Sequence, residues 1–118
     1  MMDLRHKLAL EVCQQIGLGE KSFSMVFIQM WRNVRDDGGY RLTEIGHSWL
    51  REIGYKPCVI QLTNETVQSG SVLLGLDRHL KAPYYLKGKR LTIFDSDFST
   101  QLLLYGGDLK AYLDAYTS

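Results

Sequence analysis

Tyr84-Tyr85-Leu86-Lys87-Gly88-Lys89-Arg90-Leu91-Thr92-Ile93-Phe94 is the stretch that decides the fold. Its two arms, YYL and RLTIF, are rich in the aromatic and β-branched residues that favour pleated backbone. Lys87-Gly88 stands between them, and glycine takes positive φ at no steric cost. The pattern predicts a β-hairpin over 84–94. Pro83 marks its start, because proline disfavours helical geometry in the residue before it.

Working outward, Phe94-Asp95-Ser96-Asp97 predicts the start of a helix with acids at its positive end. Phe98, Leu102 and Tyr105 line that helix, Gly106-Gly107 ends it, and Asp108 caps a last short helix carrying Leu109, Tyr112, Leu113 and Tyr116. Upstream, Val72–Leu80 reads as a short apolar helix capped by Ser69 or Ser71, and residues 63–70 as a polar loop. Pro57–Leu62 (PCVIQL) is apolar and β-rich and predicts a strand, with Pro57 confined to its first position or an edge.

The first half reads as helices. Leu4, Leu8, Val12 and Ile16 fall at four-residue steps over 3–17. A second helix runs from Ser22 or Ser24 to about Arg35, with Val26, Phe27, Met30, Trp31 and Val34 as its stripe, and Asp36-Asp37-Gly38-Gly39 breaks it. Thr43 caps a third, Glu44–Ile53, whose inward residues are Ile45, Trp49, Leu50 and Ile53, with Gly54 as terminator. The order is α-α-α-β-α-β-β-α-α. It predicts an α+β fold in a single small domain over 1–118: N-terminal helices, a small and mostly antiparallel sheet with a β-hairpin, and C-terminal helices.

The 118 residues are 45% hydrophobic and 23% charged, an ordinary globular composition. Four Phe, seven Tyr and two Trp can fill a core. Fourteen Lys/Arg against thirteen Asp/Glu leave a net charge of +1, so any polyanion contact must come from local charge. That charge is local. Residues 78–90 hold five bases (Arg78, Lys81, Lys87, Lys89, Arg90), with His79 and no acid, while residues 91–118 hold four acids and one base.

Cations beside aromatic rings suit single strands or RNA, since charge follows phosphates and rings stack on bases at about 1–3 kcal/mol each. The candidate nucleic-acid-binding residues are therefore Arg78, Lys81, Tyr84, Tyr85, Lys87, Lys89 and Arg90. Because side chains alternate along a strand, some of them must point outward together.

Other chemistry has weaker support. Asp95, Asp97 and Asp108 are carboxylates, but helix capping explains their positions better than a metal does. His79 in a last turn complements the helix dipole and has no identifiable catalytic partner. Cys13 and Cys58 read as buried free thiols in a reducing compartment. No phosphate-binding glycine loop, HExxH or GxSxG occurs. The expectation is a non-enzymatic protein with no cofactor and no metal. No apolar run is long enough for a membrane span and the start lacks a signal peptide's apolar region, so a cytoplasmic protein is expected.

Two resemblances add expectations. Tyr40-Arg41-Leu42-Thr43-x-x-Gly46, within GGYRLTEIGHSWL (38–50), resembles the last wing strand and following helix of winged-helix transcription regulators, over about a tenth of the chain. A wing strand should precede it, whereas 24–35 reads as helix. Leu73–Leu113 is similar to a pattern in short uncharacterised bacteriophage-encoded proteins, through Leu76-Asp77-Arg78-His79-Leu80, Pro83-Tyr84-Tyr85, Phe94-Asp95 and Tyr105-Gly106-Gly107-Asp108-Leu109. That likeness implies a small protein made inside a bacterial host, serving genome handling, host takeover or virion assembly. The leading expectation is an accessory protein binding single-stranded DNA or RNA through the basic, aromatic hairpin. The alternative is an adaptor for a host or phage protein, or a self-assembling homo-oligomer in which the acidic segment 95–114 meets the basic one. No membrane partner is expected.

Overall fold

The computed structural model describes residues 3–16, 23–32, 40–63 and 82–117. Contacts gather the chain into two compact units, Met1–Asn33 with Leu42–Lys56, and Val34–Arg41 with Pro57–Ser118. The α+β fold is as expected, with helices at both ends and a three-stranded antiparallel sheet. No described helix is long and apolar enough to cross a membrane. The helix expected over Val72–Leu80 lies outside the described residues.

The first unit is three helices: α1 (Leu4–Ile16), α2 (Phe23–Met30) and α3 (Glu44–Glu52). Asp3 caps α1, accepting the Arg5 N–H at 2.8 Å, and the Arg5 guanidinium returns to the same carboxylate at 3.1 and 2.8 Å. Leu8, Ala9, Val12 and Cys13 form the buried stripe of α1, and burial pushes the Cys13 thiol's pKa up.

The second helix stops short of the expected Arg35. It ends at Met30, and Trp31 instead pairs with Leu42 in an antiparallel bridge. Trp31 is buried there, with its indole N–H donating to the Arg5 carbonyl at 3.2 Å. The junction is held by Thr43. Its N–H donates to the Met30 carbonyl at 2.8 Å and its hydroxyl donates to the Gln29 carbonyl. The same hydroxyl accepts the Gly46 N–H at 3.0 Å, capping α3 as expected.

In α3 the inward positions are Gly46 and Leu50. Ile45, expected inside, is 48% exposed: the buried stripe runs through the glycine, where α3 lies on α2's backbone. Gly54 closes the helix at φ +108, with its N–H on the Arg51 carbonyl and the Tyr55 N–H on the Leu50 carbonyl. These two bonds are those of a Schellman cap.

The second unit is built on β1 (Cys58–Gln61), β2 (Tyr84–Lys87) and β3 (Arg90–Ile93), ordered β1-β3-β2. Two helices follow, α4 (Ser96–Leu104) and α5 (Leu109–Thr117). Asp95 caps α4 through the N–H groups of Asp97 (3.0 Å) and Phe98 (3.2 Å), and Asp108 caps α5 through that of Ala111 (3.1 Å). Gly106 and Gly107, both at positive φ, carry a second Schellman cap between the helices.

The core of this unit is Ile60, Leu62, Tyr84, Leu91, Ile93, Phe98, Leu102, Leu109, Tyr112 and Leu113 with Ala82. Phe98 meets Tyr112 edge to face at 5.1 Å, an arrangement worth about 0.5–1.5 kcal/mol beyond burial. Tyr105, expected among the lining residues of α4, is instead 38% exposed, with its ring edge-on to Tyr112 at 5.5 Å. The Tyr116 side chain lies outside the described set.

Candidate nucleic-acid interface

The hairpin's turn is two residues long, Gly88-Lys89, with Gly88 at φ +60. Glycine at the first central position belongs to a tight hairpin turn whose twist matches the flanking strands. The register then fixes which side chains share a face. Tyr84 pairs with Ile93, Tyr85 with Thr92, Leu86 with Leu91 and Lys87 with Arg90. On the other side of β3, Cys58, Val59, Ile60 and Gln61 pair with Ile93, Thr92, Leu91 and Arg90.

Alternation sorts these rows. Tyr84, Leu86, Leu91, Ile93 and Ile60 face the helices. Tyr85, Lys87, Arg90, Thr92, Val59 and Gln61 take the opposite face. Two of the opposite rows differ in cover. In the row nearer the strand ends, Thr92 is buried, Tyr85 half-buried and Val59 60% exposed. In the row next to the turn, Lys87, Arg90 and Gln61 are all exposed. Lys89 is half-buried in the turn itself, and its carbonyl accepts the Leu62 N–H at 2.7 Å. Neither Lys87 nor Arg90 forms an ion pair among the described residues.

Of the residues expected to touch nucleic acid, the sheet brings Tyr85, Lys87 and Arg90 onto one face, with Lys89 at its edge. Tyr84 does not join them. It is 0% exposed and sits among core side chains, so the expectation that it stacks on a base is corrected. Two adjacent tyrosines in a strand must part to opposite faces, and the core takes the first. Arg78 and Lys81, with His79, lie outside the described residues.

Gln61 is the member of this face that the sequence reading missed. A glutamine at the end of an apolar strand reads as its polar boundary. Only the register, which places it beside Arg90, brings it into the exposed row.

Elsewhere the chemistry is sparse. Among the described residues no three His, Cys, Asp or Glu gather as a metal would require. Asp95 and Asp108 are occupied as helix caps. Cys13 is buried and Cys58 half-buried, and both are free thiols. An open groove of about 620 Å³ runs along α3 between Glu44, His47, Ser48, Arg51 and Glu52. Burial, then the Arg51 charge, lowers the His47 pKa and favours its neutral form. Both glutamates there are exposed, so no buried carboxyl group lines the groove. Comparison of the chain with protein-family models, with curated proteins and with solved structures finds no match.

Proposed function

We propose that this chain is a small, non-enzymatic accessory protein that binds single-stranded nucleic acid through the exposed face of its hairpin. The observation that carries the reading is the shared face of Tyr85, Lys87 and Arg90, turned away from the core. Two cations in register supply phosphate contacts, and the half-buried ring beside them supplies a stacking surface. The net charge of +1 makes this a local contact of modest strength. A bacteriophage origin, with action inside the bacterial host, fits the resemblance carried by Leu73–Leu113.

The test is fluorescence anisotropy with labelled single-stranded DNA and RNA and a duplex control, across a salt series. Binding should favour the single strands and weaken as salt is added, because phosphate contacts release counterions. Absence of binding at low salt, or binding indifferent to salt, would end the reading.

A protein-binding or self-assembling role has its own observation. Leu103 and Leu104 on α4 are 61% and 81% exposed. Light scattering over a concentration series decides it: a strict monomer at high concentration and low salt removes self-assembly.

A further inference from the structure

We infer that Gln61 is the base-discriminating residue of the hairpin face, and that it selects adenine within a single strand. The inference rests on the nucleic-acid reading above and adds to it which group reads the base.

Arg90 on β3 lies beside Gln61, and Lys87 lies on the far side of Arg90 on β2, with neighbouring strands about 5 Å apart. Set on phosphates, the Lys87 ammonium and the Arg90 guanidinium fix the strand without choosing its sequence. Gln61 is neutral and weak against a phosphate. Its carboxamide offers donor and acceptor side by side, the complement of adenine's N6 donor and N7 acceptor. An unpaired base presents those edges freely, whereas a duplex lets side chains in only through its grooves.

Position matters as much as chemistry, since a floppy amide discriminates poorly. Gln61 grows from backbone that is fixed on three sides. It is paired in register with Arg90. The next residue, Leu62, donates its N–H to the Lys89 carbonyl at 2.7 Å. The Gln61 carbonyl lies against Gly107, where a Cβ would come within 2.9 Å of it, and the Thr63 N–H reaches the Gly107 carbonyl at 3.3 Å. The turn between α4 and α5 thus holds the end of β1 against the hairpin, and the Gln61 side chain starts from a fixed backbone position beside Arg90. Val59, two residues earlier on the same face and largely exposed, offers an apolar surface next to it.

The experiment uses short oligothymidylates carrying a central thymine, adenine, cytosine or guanine, titrated against the full chain and two variants. The unaltered protein should prefer the adenine oligonucleotide by at least about fivefold, the lower end of what one bidentate amide pair supplies. Gln61→Ala should erase that preference, bringing the adenine oligonucleotide to the affinity of the other three. Gln61→Glu should shift the order toward cytosine, whose N4 donor suits a carboxylate. Circular dichroism confirms that both variants fold. A preference that survives Gln61→Ala overturns the inference while the binding role stands. So does equal weakening toward all four oligonucleotides, or no preference in the unaltered protein. Failure of the unaltered protein to bind any of them overturns both.

Discussion

Gly46 of α3 rests on the backbone of Met30 at the end of α2: a Cβ at position 46 would stand 2.9 Å from the Met30 Cα and closer still to its carbonyl oxygen. Gly46→Ala therefore sets two effects against each other. Alanine favours a helix interior by about 1 kcal/mol over glycine. The overlap is with backbone, which cannot swing aside, and overpacking of this kind costs about 1–3 kcal/mol. The expected outcome is net destabilisation in urea unfolding, with Ser48→Ala on the same helix near neutral. Equal or greater stability of Gly46→Ala would show that the helices separate freely.

Thr43 holds the same junction. Its hydroxyl caps α3 and also meets the last carbonyls of α2. Thr43→Ala should cost about 1–2 kcal/mol, and Thr43→Ser should recover most of it, because the hydroxyl carries the cap. Thermal unfolding of the two variants side by side checks the order.

Two residues of the helical unit give pH dependence of opposite sense. The Arg5 guanidinium holds the Asp3 carboxyl down at about 2. A folded pKa below the unfolded value near 3.9 gives stability that is full above about pH 4 and lost as pH falls toward 2. Asp3→Asn keeps a capping side chain and should lose that acid step. Tyr55 behaves in reverse. Burial, and then its hydrogen bond to Glu11 at 2.5 Å, push it up to about 12. Its contribution is complete below about pH 10 and disappears as pH rises toward 12. Tyr55→Phe should remove the alkaline step, read as the difference between the two unfolding curves against pH.

The two tyrosines of the hairpin should separate in experiment as they do in space. Tyr84→Ala empties a core position and should cost about 3–5 kcal/mol. Tyr85→Ala should cost less stability than Tyr84→Ala, because Tyr85 is only half-buried, and should weaken single-strand binding. Lys87→Ala and Arg90→Ala should each lower the salt dependence of binding by about one counterion. A Tyr84 variant that stays stable yet loses binding would reverse the assignment of the faces.

Much of this architecture is local and could be seen in the sequence. Thr43, Asp95 and Asp108 announce helix starts because a short polar side chain before an apolar run has one common use, and Gly54 and Gly106 announce helix ends. What escaped is set by tertiary pairing. Nothing in MVFIQMWRNV marks Met30 as an end. The helix stops there because Trp31 pairs with Leu42 and the Thr43 N–H donates to the Met30 carbonyl. Ile45 looked like core because hydrophobicity alone favours it over Gly46, yet close approach of backbones needs the residue without a side chain. Tyr84 and Tyr85 are identical in composition, and only the register with Ile93 and Thr92 tells them apart. Gln61 is silent until β1 is laid against β3.

The sheet order also governs the sequence of folding events. β2 and β3 are joined by two residues and can close as a hairpin within microseconds. β1 is much farther from β3 along the chain, and that closure bears the larger entropic cost. Lys87, Arg90 and Tyr85 therefore come together early, on a segment that closes locally, while Gln61 arrives with the last strand. A chain in which β1 has opened keeps its cations aligned and loses the amide beside them. Amide protection in β1 lower than in the hairpin would be the sign of that order, and selectivity would fade with heating or denaturant before attraction does.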